Sequence, residues 1–122
     1  MEDRKKGISS EELAGLIVNG MKDKKAQDIV VLDLRKVQNA MTDFFVICSG
    51  TSDRQVDAIK DGIEESTWKF AKEDPYRKEG LERSEWVLLD YINVVAHVFT
   101  QKKRAFFGLE DLWGDAIVSR VD

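Results

Sequence analysis

Asp90 and the only histidine of the chain, His97, stand among aliphatic and aromatic neighbours in Trp86 to Phe99, WVLLDYINVVAHVF. A turn at Ile92-Asn93, or over the four residues from Tyr91 to Val94, makes this stretch a β-hairpin. Antiparallel pairing then sets Asp90 opposite Val95, Leu88 opposite His97 and Trp86 opposite Phe99. Those six side chains share one face. Val87, Leu89, Tyr91, Val94, Ala96 and Val98 share the other, which is apolar as a face packed on helices must be. The Trp/Leu/Asp/His face is either a contact surface or a second buried face on which Asp90 and His97, diagonal neighbours, hydrogen-bond each other. Base catalysis by His97 would need a hydroxyl or thiol nucleophile beside it, and the register supplies Leu88 and Asp90 instead.

The remaining chemical side chains form incomplete sets. Asp33, Asp43 and Asp90 are acids that two-metal phosphoryl or nucleotidyl transfer would recruit, but no pair of acids one residue apart on a strand follows the Gly50-Thr51-Ser52 turn. That turn precedes a helix, whose free N–H groups favour an anion, yet the spacing is neither GxxxxGK[ST] nor GxGxxG, and Asp53 already supplies the negative charge. It reads as a helix cap, with nucleotide binding as the alternative. Asp53, Asp57 and Asp61 recur along one helix face and diverge into solvent rather than converging on a metal. Cys48 lies in an apolar strand and reads as a small buried hydrophobe. One Cys and one His make neither an internal disulfide nor a four-ligand zinc site.

The elements that must position these residues follow from local pattern. Ser9 and Glu12 form a capping box, and Leu13, Leu16, Ile17 and Met21 share a face, predicting a helix over Ser10–Lys22. Ile29–Leu34 and Phe44–Ser49 are compact apolar runs that read as strands, joined by an irregular antiparallel return. Ser52 and Gln55 form a second capping box, opening a helix over Asp53–Lys72 with Val56, Ile59, Ile63 and Phe70 inward. Pro75 and Gly80 bracket a polar loop, the hairpin strands follow, and a short helix starts near Thr100 and breaks at Gly108. Leu109, Leu112 and Trp113 then pack a C-terminal segment on the body. The order predicts one α/β domain, a mixed sheet with flanking helices: residues 1–8 a flexible N-terminus, 9–118 the domain and 119–122 a short tail.

The 122 residues suffice for one core. No apolar run approaches the roughly 20 residues of a membrane span, and no apolar segment follows the N-terminal charges, so a cytoplasmic location is expected. A net charge of −4 argues against broad wrapping of nucleic acid. The basic run Lys102-Lys103-Arg104 leaves room for a local nucleic-acid contact or a solvated helix end.

Several blocks in order resemble a known family. Asp28–Asp33, Thr42–Ser52, Glu79-Gly80, Trp86–Tyr91, Val95–Phe99 and Leu109–Trp113 are similar to the Iojap-like ribosomal silencing factors, over about Ser9 to Ala116. The resemblance implies a fold related to nucleotidyltransferases without their catalytic acids, no enzymatic activity and no cofactor. It implies binding to the large ribosomal subunit at ribosomal protein uL-fourteen, blocking association with the small subunit, with ribosomal RNA at Lys102-Lys103-Arg104 a minor contact at most, and a family often seen as homodimers. It carries the partner-binding role to Trp86, Leu88, Asp90, Tyr91 and His97, with Leu109, Glu110, Leu112 and Trp113 as support or rim. Where the family has glycine and then an acid after the tyrosine, Ile92 and Asn93 stand here. The alternative is a small nucleotidyltransferase-like nucleotide-binding protein using the Gly50–Asp53 turn.

Overall fold

The computed structural model describes residues 7–107 and 116–121. Helix α1 (Ser10–Asp23) opens on the expected capping box: Ser9 Oγ accepts from the Glu12 N–H and Glu12 Oε1 accepts from the Ser9 N–H, both at 3.0 Å. Strands β1 (Gln27–Asp33) and β2 (Phe44–Gly50) pair antiparallel, and α2 (Asp53–Ala71) follows. Its cap is Ser52, whose Oγ accepts from the Gln55 N–H at 3.1 Å. Gln55 does not close a box on Ser52. Its Oε1 instead accepts from the Thr51 N–H and hydroxyl, and its Nε2 donates to the Lys24 and Lys25 carbonyls, so one side chain ties the α2 cap to the end of α1.

Strands β3 (Arg77–Glu79), β4 (Trp86–Asp90) and β5 (Val94–Thr100), helix α3 (Gln101–Phe107) and strand β6 (Ile117–Val121) complete the order. The six strands run β3-β4-β5-β2-β1-β6; β2 and β5 are parallel and every other pair is antiparallel. The chain is thus a single α/β domain with a mixed sheet. Two strands were not expected. β3 lies in the polar loop and is fully exposed, and β6 takes up residues 119–121 of the segment expected as a tail, pairing Ser119 with Val31, Arg120 with Val30 and Val121 with Ile29. Both are edge strands, where pairing with one neighbour suffices and no buried alternation marks the sequence. Ile8, assigned to a flexible start, packs against the core.

Helices α1 and α2 cover one sheet face, burying Leu13, Ile17 and Met21 with Val56, Ile59 and Ile63 on Val46, Cys48, Val87, Leu89, Ala96 and Val98. The helices touch at two glycines: a Cβ on Gly20 would lie 2.6 Å from the Gly62 carbonyl oxygen. The buried stripe of α2 ends at Thr67, one turn before the helix does, which leaves Phe70 exposed rather than inward. On the opposite face Val30, Leu32, Leu34, Ile47 and Phe99 form a smaller core, closed by Val37 and Ala40 of the return. The hairpin turn holds Ile92 at φ 77. A β-branched side chain in that left-handed region strains the backbone, typically by about 1–3 kcal/mol.

Candidate functional site

The hairpin register is the one the alternation requires: Trp86 faces Phe99, Leu88 faces His97 and Asp90 faces Val95. The Tyr91 N–H donates to the Val94 carbonyl at 2.9 Å, leaving Ile92-Asn93 as the turn. Strand geometry therefore sends Trp86, Leu88, Asp90, Val95 and His97 to the face away from α1 and α2. Along that face the side chains divide by depth. Leu88, Asp90 and Val95 are partly exposed; Trp86 is partly buried against the smaller core; His97 is 4% exposed.

His97 is no surface residue. Its ring sits between Phe45, which meets it edge-on at 4.8 Å, and Phe99 at 6.1 Å, and Trp86 Nε1–H donates to its Nδ1 at 3.1 Å. Burial holds the imidazole at about 4, well below its ordinary value, although the Asp90 carboxylate pulls the other way. It is therefore neutral near pH 7, and the bond accepted at Nδ1 places its proton on Nε2. Asp90 does not pair with it. Asp90 Oδ1 accepts from the Ile92 N–H at 2.7 Å and Oδ2 from Arg77 Nη2 at 3.3 Å, so this carboxylate fixes the turn and the entry into β3.

Tyr91 is likewise displaced from the surface set. It is 6% exposed on the helix-covered face, and its hydroxyl lies 2.9 Å from Thr67 Oγ1. Odd and even positions of a strand point to opposite sides, so Tyr91 cannot join Leu88 and Asp90 in contacting a partner across that face. Leu109, Glu110, Leu112 and Trp113 lie outside the described residues.

The acids and the turn considered for chemistry are engaged locally. Asp33 accepts from the Arg35 guanidinium at 2.7 and 3.0 Å, which holds its carboxyl below the usual range, and Asp43 Oδ2 accepts from the Ser10 hydroxyl at 2.7 Å. Among the described residues no group of three His, Cys, Asp or Glu could hold a metal ion, and no helix is long and apolar enough to cross a membrane. Thr51 donates its N–H and hydroxyl to Gln55 Oε1, and Ser52 Oγ accepts from the Gln55 N–H. Cys48 is fully buried under the helices, and burial pushes its thiol far up. Of the basic run, Arg104 turns inward to the Asp28 carbonyl and to Ser49 Oγ, and Lys103 lies 3.9 Å from Glu85.

One feature of this face was missed in the sequence. Beside Asp90 and Val95 lies a groove of about 570 Å³, lined also by Leu34, Met41, Phe45 and Ile92. Met41 and Ile92 fall outside any periodic pattern. The only signal they carry is that of large apolar residues in turns.

A partly open sheet face with acids committed to structural bonds suits an interaction protein better than an enzyme. A family model described as ribosomal silencing factor during starvation matches residues 8–122. The chain belongs to this family. It is 43% identical over 112 residues to the ribosomal silencing factor of Halalkalibacterium halodurans, covering 89% of this chain and 92% of that protein. To the ribosomal silencing factor of Bacillus subtilis strain 168 it is 40% identical over 104 residues, covering 82% and 83%. A crystal structure of a Chromobacterium violaceum protein superposes with a TM-score of 0.82 at 31% identity, covering 88% of each chain. Ribosomal silencing factors are non-enzymatic proteins of translation regulation, and membership implies association with the ribosome. In this silencing factor the aromatic cluster under Trp86 belongs to the smaller core on the face away from α1 and α2.

Proposed function

We propose that the protein binds the large ribosomal subunit through ribosomal protein uL-fourteen and sterically blocks association with the small subunit. Leu88 and Asp90 contact the partner directly, Trp86 forms the edge of the contact face, and His97 and Tyr91 act from within the fold. The observation that carries this reading is the asymmetry of the sheet: one face is sealed by two helices, while the other is left partly open at Leu88, Asp90 and Val95. No bond is made or broken. A nucleotidyltransferase-like topology without catalytic acids belongs to the same reading, supported by Asp33, Asp43 and Asp90 each being occupied by a neighbouring donor.

The test is sedimentation of purified protein with large subunits, together with subunit joining followed on sucrose gradients. Stoichiometric binding and a fall in joined ribosomes are expected, both lost when the large subunits lack uL-fourteen. Binding that survives removal of uL-fourteen would refute the assignment of partner. With a net charge of −4 and Arg104 used internally, affinity should decline only modestly as salt rises.

A further inference from the structure

The groove beside the hairpin turn has the composition of an anchor pocket. Leu34, Phe45 and Val95 line it together with Met41, Tyr76 and Ile92, which are 96%, 78% and 56% exposed. Single exposed apolar residues are ordinary on a protein surface. Three large ones lining one concavity are not, because each gives up burial that the same concavity could have provided. Ile92 adds a second observation: its side chain is held out by a backbone at φ 77 that glycine would adopt without strain. The Ile92 N–H bond to Asp90 Oδ1 holds that backbone in place, while the side chain, left mostly in water, gains little burial from it.

We propose that this groove anchors the protein on the ribosome by receiving an apolar side chain of a ribosomal protein between Met41, Tyr76 and Ile92, rather than ribosomal RNA. This rests on the docking function proposed above and adds residues that it does not include. Charge decides the class of occupant. Among the described residues lining the groove Arg77 is the one cation, and it is already within 3.3 Å of both Glu79 and Asp90. A phosphate backbone would meet a neutralised arginine and the Asp90 carboxylate, which offers no counterion release. An uncharged protein side chain meets apolar walls and a balanced rim, as at the centre of a protein–protein contact. Asp90 joins this groove to the open strand face, because the carboxylate that lies beside Leu88 and Val95 also holds the Ile92 N–H.

Ile92→Gly tests the idea, because strain and contact pull in opposite directions. Its thermal midpoint should equal or exceed that of the wild type, while its affinity for large subunits falls tenfold or more. Met41→Glu, at a site open to solvent, should keep the wild-type circular dichroism and lose affinity similarly. Wild-type protein that binds while both variants bind within twofold of it would overturn the groove and leave the docking function standing. Wild-type protein that fails to bind large subunits would overturn both. Equal retention of the wild type by protein-free ribosomal RNA, with a steep salt dependence, would overturn the choice of a protein occupant.

Discussion

The Trp86 indole donates its Nε1–H to Nδ1 of His97 across 3.1 Å, from the partly buried edge of β4 to the buried middle of β5. The same indole stacks on Phe99 at 5.0 Å between centroids. Trp86 is thus oriented both by a polar bond and by a ring face, and His97 is the buried acceptor of that bond.

Trp86→Phe should keep the stack and remove the donor, leaving Nδ1 of a buried imidazole without that partner. The expected loss is about 1–3 kcal/mol in urea denaturation with the fold retained. Trp86→Ala should lose more, since it also empties part of the smaller core. A Trp86→Phe protein as stable as the wild type would show that the bond contributes nothing.

His97 gives the protein a pH dependence of stability with a definite sign. Its folded value, about 4, lies below the ordinary value of 6.5, so between these limits the unfolded chain binds a proton that the folded chain refuses. The contribution is complete above pH 6.5 and is lost as pH falls towards 4, with a slope of up to about 1.4 kcal/mol per pH unit. Denaturation curves between pH 5 and 6.5, above most carboxylate titration, should reveal this slope in the wild type and its absence in His97→Gln. Identical slopes would remove His97 as the cause.

Tyr91→Phe should cost about 1 kcal/mol of stability through loss of the hydroxyl contact with Thr67, and should leave ribosome affinity within twofold of the wild type. A large loss of affinity without loss of stability would return Tyr91 to the docking surface.

Gly20→Ala should destabilise the fold by about 1–3 kcal/mol, because its Cβ would meet Gly62 O at 2.6 Å and Ile63 Cα at 2.7 Å, both backbone atoms that cannot swing away. Gly15→Ala, in the same helix with nothing within 4 Å of the added Cβ, should instead stabilise by about 0.5–1 kcal/mol. Thermal melts of the two variants should move in opposite directions.

Arg104→Ala should lower the melting temperature, because it frees Ser49 Oγ and the Asp28 carbonyl, whereas Lys102→Ala should leave it unchanged. Neither should alter the salt dependence of ribosome binding by as much as a full phosphate contact would. A reduced salt slope in Lys102→Ala would reveal an RNA contact at α3.

Sequence alone determined what depends on neighbours along the chain. The Ser9–Glu12 box, the Ser52 cap and the hairpin register are set by side chains a few residues apart, and alternation in Trp86–Phe99 separated the two faces correctly because a strand has a fixed period of two. The family resemblance was legible for the same reason, in blocks that keep their order. Tertiary structure alone decided which segments lie side by side. β5 runs parallel to β2, and this brings Phe45 against His97; the return closes over the smaller core and leaves a groove against Ile92 and Tyr76. Whether His97 bonded to Asp90 or to Trp86 followed from side-chain reach and depth in that assembled face, as did the burial of Tyr91 under α2. β3 and β6 became strands only by pairing with β4 and β1. Such pairings join residues far apart in sequence, and their free energy comes from burial and hydrogen bonding that exist only once the sheet has formed.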